Sequence, residues 1–264
     1  MRVGYFIRTV VVITVAAITV PTLVAMASGF TTADVVTFPP RGFTLHWYQQ
    51  LVTDGALAAP IRNSLWVGLC CIVIGVVLGV PAALALNRFQ IRGRSFFQVF
   101  LTLGFASPLV VSGLGMLLLF TQLHILNSVL IVGFAVAIVH LPFMLWSVGS
   151  ALVEHNPELE EAASTLGAEE VQQFLFVTLP GIGSGIFTGA LLMFVFGITE
   201  FLLSLLLVTP ETTTLPVYLF SSIRGDISPV LAAVAGVYVL FVGVLVWLVT
   251  RFAGADRYLY RAEM

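Results

Sequence analysis

Glu200 stands alone inside a long apolar stretch, where an unpartnered carboxylate costs several kcal/mol unless it meets a proton, a cation, water or a donor. With no arginine in its stretch, such an acid suits a positively charged solute on its way across. Two structural readings stand beside that one: a carboxylate tied to backbone at a break in its helix, or a link to a neighbouring subunit. His140, two residues before Pro142, is the histidine set deepest in an apolar stretch. Its first reading is a ring bonded to backbone freed by the proline, and its second a proton relay. His46, His124 and His155 are scattered singly, and Cys70 and Cys71 are adjacent, so neither metal-ligand spacing nor an ordinary disulfide is present in the pattern. The glycine-rich run 181–185 has no strand before it and no lysine after it, as a phosphate-binding loop would need. The chain is therefore expected to bind no nucleotide, metal or other cofactor. Without titratable groups clustered near one face, it is not expected to be an enzyme.

A second polar region, residues 154–180, carries most of the interior acids. Asn156 is placed to cap a helix starting at Pro157, with Glu158, Glu160 and Glu161 near its positive end. Leu159, Ala162, Ala163 and Leu166 recur at steps of 3, 4 and 7, which draws a narrow apolar stripe, and Gly167 is a natural stop. A second helical stretch runs from Glu169 to Leu179-Pro180. By pattern alone this is either a handle for another protein or a solvated loop.

The elements that must position these residues are membrane spans. A chain of 264 residues that is 59% hydrophobic and 9% charged, with mean hydropathy +1.07, cannot hide its apolar side chains in one soluble core. About 20 apolar residues of helix cross the hydrocarbon layer; charges, together with a polar dip at Thr121, Gln122, His124, Asn127 and Ser128 that splits the long run between Arg94 and Glu154, divide the chain into six such runs, over residues 7–28, 64–86, 97–120, 129–149, 184–208 and 229–251, the fifth interrupted by Glu200. The expected fold is all-α and polytopic, a single membrane domain over residues 1–264 bathed in lipid. Gly75 and Gly79, and Gly181, Gly185 and Gly189, have the spacing that lets helices approach closely. The basic residues are all arginine. Arg2, Arg8, Arg88, Arg92, Arg94, Arg251, Arg257 and Arg261 fall on one side, and Arg41, Arg62 and Arg224 on the other, which places both termini in the cytoplasm. A cleaved leader ending near Ala25-Met26-Ala27 is the alternative for the first span. A net charge of −2 argues against a nucleic-acid partner.

Glu161-Ala162-Ala163, three residues, Gly167, nine residues, Val177, one residue and Leu179-Pro180 resembles the EAA loop of inner-membrane subunits of binding-protein-dependent ABC importers, with Val177 where that family usually has isoleucine. Residues 38–48, Arg62-Asn63-Ser64-Leu65, Thr213-Thr214-Leu215-Pro216-Val217 and Ser221-Ser222-Ile223-Arg224 are similar to the second permease of spermidine/putrescine-type systems. The resemblance implies a type I importer permease in a bacterial inner membrane that forms half of a solute pathway. It also implies a cytoplasmic ATPase dimer that uses ATP and magnesium, a second permease, and an extracytoplasmic binding protein. Carried over by position, Glu161, Ala162, Ala163, Leu166 and Gly167 dock the ATPase. A polyamine is the implied solute, with ferric ion, aminoethylphosphonate or another small solute as alternatives, because Gly-Ile-Thr-Glu-Phe around Glu200 departs from the paired acids common in polyamine relatives. An ion-coupled secondary transporter or channel, in which Glu200 and His140 handle protons, is the rival from another class.

Overall fold

The computed structural model describes residues 2–53, 55–89, 91–225 and 228–252; the expectation that Arg257 and Arg261 mark a cytoplasmic C-terminus lies outside them. The described residues form helices, as an apolar chain in lipid must when each backbone N–H and C=O needs a partner within its own segment. In order they are α1 (Arg2–Ser28), α2 (His46–Thr53), α3 (Gly55–Arg88), α4 (Arg94–Ala106), α5 (Leu109–Gln122), α6 (Val129–Glu154), α7 (Glu158–Thr165), α8 (Glu170–Gly181), α9 (Gly183–Thr199), α10 (Leu202–Leu207), α11 (Leu215–Gly225) and α12 (Pro229–Phe252). Among them α1, α3, α6 and α12 are long and apolar enough to cross a membrane.

Two of the expected spans are not single helices. Residues 97–120 divide into α4 and α5, bent by 95°. Pro108 has no N–H to continue the ladder and drives Ser107 into extended backbone (φ −77°, ψ 149°). Residues 184–208 divide at Glu200, whose own backbone is extended (φ −65°, ψ 121°) and ends α9 after 17 residues, about 26 Å. Pro81 and Pro180 each follow a widened π turn, Gly75–Gly79 and Phe174–Thr178, at the same offset; α3 runs on through Pro81, whereas α8 ends at Gly181, just past Pro180, and α9 sets off at 61° to it. A proline withholds a donor from the carbonyl four residues back, and the wider turn reroutes the neighbouring bond, as Leu179 N–H to Phe174 O shows.

By packing, the described residues form two compact units, those within Met1–Ala58 and Tyr218–Val242 and those within Ala59–Val217 and Gly243–Met264. In the first, the turn after α1 is held by aromatic and hydroxyl groups. Phe30 stacks between Phe43 and Tyr48 at 5.0 and 4.8 Å, Trp47 Nε1 donates to Thr31 O at 2.6 Å, and Thr44 N–H donates to Phe30 O at 2.9 Å.

In the second unit α6 is the central post: Val132, Ala135, Val136, Met144 and Val148 are fully buried. Glycines seat its neighbours. A Cβ added to Gly185 would stand 2.7 Å from Ser147 O, and one on Gly79 would meet Met144 Cγ at 2.6 Å. The helices therefore touch where both glycine series face them. At one end of this unit Asn63 Nδ2 donates to Glu211 O and Thr213 O at 3.0 and 2.9 Å, and Leu215 N–H donates to Ser64 Oγ at 2.8 Å. Two sequence-distant segments of the resemblance thus meet in space.

Candidate functional site

At the other end of the second unit lies the loop after α6. Asn156 Oδ1 accepts the Glu158 N–H at 3.0 Å, which starts α7. α7 ends in a Schellman motif: Gly167 N–H donates to Ser164 O at 2.9 Å and Ala168 N–H to Ala163 O at 3.0 Å, with Gly167 at φ +87°. α8 opens with a reciprocal cap, in which Glu169 N–H donates to Gln172 Oε1 at 3.0 Å and the Glu169 side chain accepts the Gln172 N–H.

The apolar stripe of α7 is left uncovered. Leu159 is 54% exposed, Leu166 is 89% exposed, Glu161 and Ala162 are exposed, and Ala163 is half-buried. A flank of α7, about 100° round the helix from Leu159, is held by Glu160, a residue the motif does not single out. Its carboxylate pairs with Arg88 at the end of α3 and accepts the Thr178 hydroxyl from α8 at 2.6 Å; Arg88 also donates to Thr178 Oγ1 at 2.9 Å. His155 Nε2 stands 3.2 Å from the same carboxylate, off the line of a hydrogen bond. Burial alone would raise the Glu160 carboxyl, but the Thr178 hydroxyl, Arg88 and His155 together hold it below the ordinary glutamate range. A cleft of about 400 Å³ opens beside the cluster, lined by Asn87, Leu152, Val153 and Pro157 among others.

Glu200 lies elsewhere, at the far end of α9 from this loop. Its side chain is 8% exposed, Oε1 accepts the Leu203 N–H at 2.8 Å, and Oε2 is 3.8 Å from His140 Nε2. The carboxylate thus caps the first turn of α10 across the break, where backbone donors would otherwise be orphaned. His140 Nδ1 bonds Val136 O at 2.8 Å, so Nδ1 carries a proton and Nε2 turns to Glu200. The carbonyl it uses is not the one Pro142 frees, which is that of Ile138, because in a helix the N–H at position i serves the carbonyl at i−4. Phe196 stacks on the His140 ring at 5.2 Å and on Phe143 at 4.2 Å, which walls the pair off with aromatic faces.

Of the sequence-selected residues, Ala162, Ala163 and Leu166 share one side of α7 beside its terminating Gly167, Glu161 lies on another side, and Glu200 is a separate buried cap. Glu160, Arg88, Thr178 and His155 were missed. Their partners are 72, 18 and 5 positions from Glu160, and only the α3 end and the α8 turn bring them together.

A family of binding-protein-dependent transport system inner membrane components matches residues 75–255. The chain belongs to that family. This permease is 31% identical over 232 residues to the putrescine transport system permease protein PotI of Escherichia coli (strain K12), covering 85% of this chain and 82% of that one. It is 27% identical to the spermidine/putrescine transport system permease protein PotC of the same organism, covering 78% of each. To the putative 2-aminoethylphosphonate transport system permease protein PhnV of Salmonella typhimurium (strain LT2) it is 30% identical over 72% of each chain. The fold is shared with the crystal structure of a bacterial ABC transporter involved in the import of the acidic polysaccharide alginate, at TM-score 0.63 and 18% identity over 97% of this chain and 96% of that one. It is also shared with the same kind of transporter in complex with an alginate pentasaccharide-bound periplasmic protein, at TM-score 0.68 and 16% identity over 96% and 94%. The permease is thus an ABC importer's inner-membrane subunit, a membrane component of a transporter.

Proposed function

We propose that this permease forms half of the path for an organic polyamine, and that the α7–α8 loop is the handle by which a cytoplasmic ATPase moves it. The observation that carries the proposal is the two-sided character of α7. One flank, through Glu160, is tied to the ends of α3 and α8. The next presents Leu159 and Leu166 to solvent. A helix clamped along one flank and apolar on the next transmits force from a partner that covers the apolar one. Glu161, Ala162, Ala163, Leu166 and Gly167 are the docking residues of this reading. ATP and magnesium serve the ATPase dimer, and this chain supplies no ligand to either. A second permease completes the path, an extracytoplasmic binding protein delivers the solute, and both termini lie in the cytoplasm.

The solute is assigned from the kinship with putrescine and spermidine permeases, supported by Glu200, an acid with no arginine in its own span. Glu200 acts first as the cap of the α9–α10 break, and its contact with solute is confined to states in which that break opens. The test is uptake of labelled putrescine by the transporter reconstituted with its ATPase. Leu166→Asp is expected to lower uptake by about tenfold or more, the loss of roughly 1.5 kcal/mol or more from the docked face, with the permease still in the membrane. Wild-type uptake by Leu166→Asp, or uptake by the permease with no ATPase present, defeats the proposal.

A further inference from the structure

We propose that the cleft between α6 and α9, lined by Ser147, Ser150, Glu154, Ser184 and Thr188, is a wet station on the solute's route that suits an organic ammonium. This rests on the polyamine reading above and says where on this chain the solute is handled. The cleft holds about 190 Å³, room for roughly six waters. Ser147, Ser150 and Glu154 lie at steps of three and four along α6, and Ser184 and Thr188 one turn apart on α9, so each helix turns a polar stripe to the shared seam. The seam is close because Gly185 lets Ser147 O and Ala151 Cβ within 2.7 and 2.5 Å of where its own Cβ would be.

Thr188 shows that the seam wants a ligand. Threonines in a lipid-facing helix commonly satisfy their hydroxyl on the carbonyl one turn back. Thr199 of the same helix does so with Val195 O at 2.7 Å, and Thr121 with Leu117 O at 2.7 Å. Thr188 is 9% exposed and its Oγ1 has no hydrogen-bond partner. A hydroxyl that is nine-tenths buried, unpartnered and set in a polar cleft is completed by water or by a passing donor. No arginine lines the cleft, and Glu154 at its loop end supplies its single charge. Hydroxyl oxygens accept from an ammonium group but release it readily, as a transit site requires, and one carboxylate at the mouth biases entry toward cations.

The test uses the full transporter in liposomes, with Ser150→Cys and Ser184→Cys read against the unsubstituted chain, whose own cysteines set the background. In the nucleotide-free complex both cysteines are expected to react with a cationic methanethiosulfonate about tenfold faster than with an anionic one. Glu154→Gln should remove that preference. Failure of both to react overturns the proposal, since a protein neighbour then fills the cleft, and so do equal rates for the two reagents. Thr188→Val keeps the shape and removes the hydroxyl. It should reduce putrescine uptake severalfold at unchanged yield of assembled complex, whereas a fall in yield with normal uptake per complex would make Thr188 a packing residue. If the wild-type complex carries no putrescine, the solute assignment fails, while the labelling rates still decide the cleft.

Discussion

Glu160 and Glu200 each face a histidine ring, at 3.2 and 3.8 Å, and in every other respect they are opposites. Glu160 is partly open to water and joins residues from α3, α7 and α8, with a full positive charge opposite it. Glu200 is sealed, has a backbone N–H three residues away as its near partner, and is walled by phenylalanine. Where water reaches, a carboxylate can tie separate elements together through a pair that is strong enough to hold and weak enough to let go. Inside an apolar bundle the same group is tolerated by serving its own helix, and giving it up leaves orphaned donors behind.

The contrast predicts unequal damage. Glu200→Leu should be worst, costing about 3 kcal/mol because Leu203 N–H loses its acceptor in a dry site, whereas Glu200→Gln keeps an acceptor and should cost about 1 kcal/mol. Thermal unfolding of the solubilised complex would read both, and a Leu variant as stable as wild type would erase the distinction. Arg88→Met removes the cation from the other cluster and should cost about 1.5 kcal/mol, visible as faster amide exchange over residues 156–180 with the midpoint of global unfolding unmoved. Gly167→Ala comes next at about 1 kcal/mol, since its φ of +87° disfavours any Cβ although the space around it is open. It should loosen the same residues without touching the Glu200 break.

The smallest effect is that of pH. Glu160 titrates below the ordinary range when folded, so its contribution is complete above the unfolded value of about 4.3 and fades as pH falls through the lowered folded value. Amide protection of the loop should be flat from neutrality down to mild acid and then decline. Arg88→Met should shift that decline toward higher pH, and an unmoved decline would mean that Arg88 does not set the charge state of Glu160.

Much of this was legible in residue order. The apolar runs, the cap at Asn156, the stop at Gly167 and the glycine series on α3 and α9 all rest on interactions within a few residues or on a fixed helical period. What escaped was set by longer reach or by finer balance. Glu160 differs from Glu158 and Glu161 only in pointing toward Arg88, a fact of three-dimensional placement. Pro108 stands at a 95° bend, while Pro21, Pro60, Pro81 and Pro142 lie within continuous helices, so residue type alone does not tell a bend from an unbroken span. The break at Glu200 contains no proline at all; a carboxylate capping the N–H three residues ahead marks it, and local propensity does not register that.

Met144 has a consequence of its own. Its thioether side chain lies against Gly79 of α3 on one side, and its sulfur would come within 2.7 Å of a Cβ on Gly189 of α9 on the other. An unbranched, pliable filler seated in two hollows at once ties three long rods into one block. Any rocking of this subunit must then carry α3, α6 and α9 together, with compliance left to the bends at Pro108 and Ile182 and to the break at Glu200. Oxidation of that single sulfur would prise the block apart from its centre.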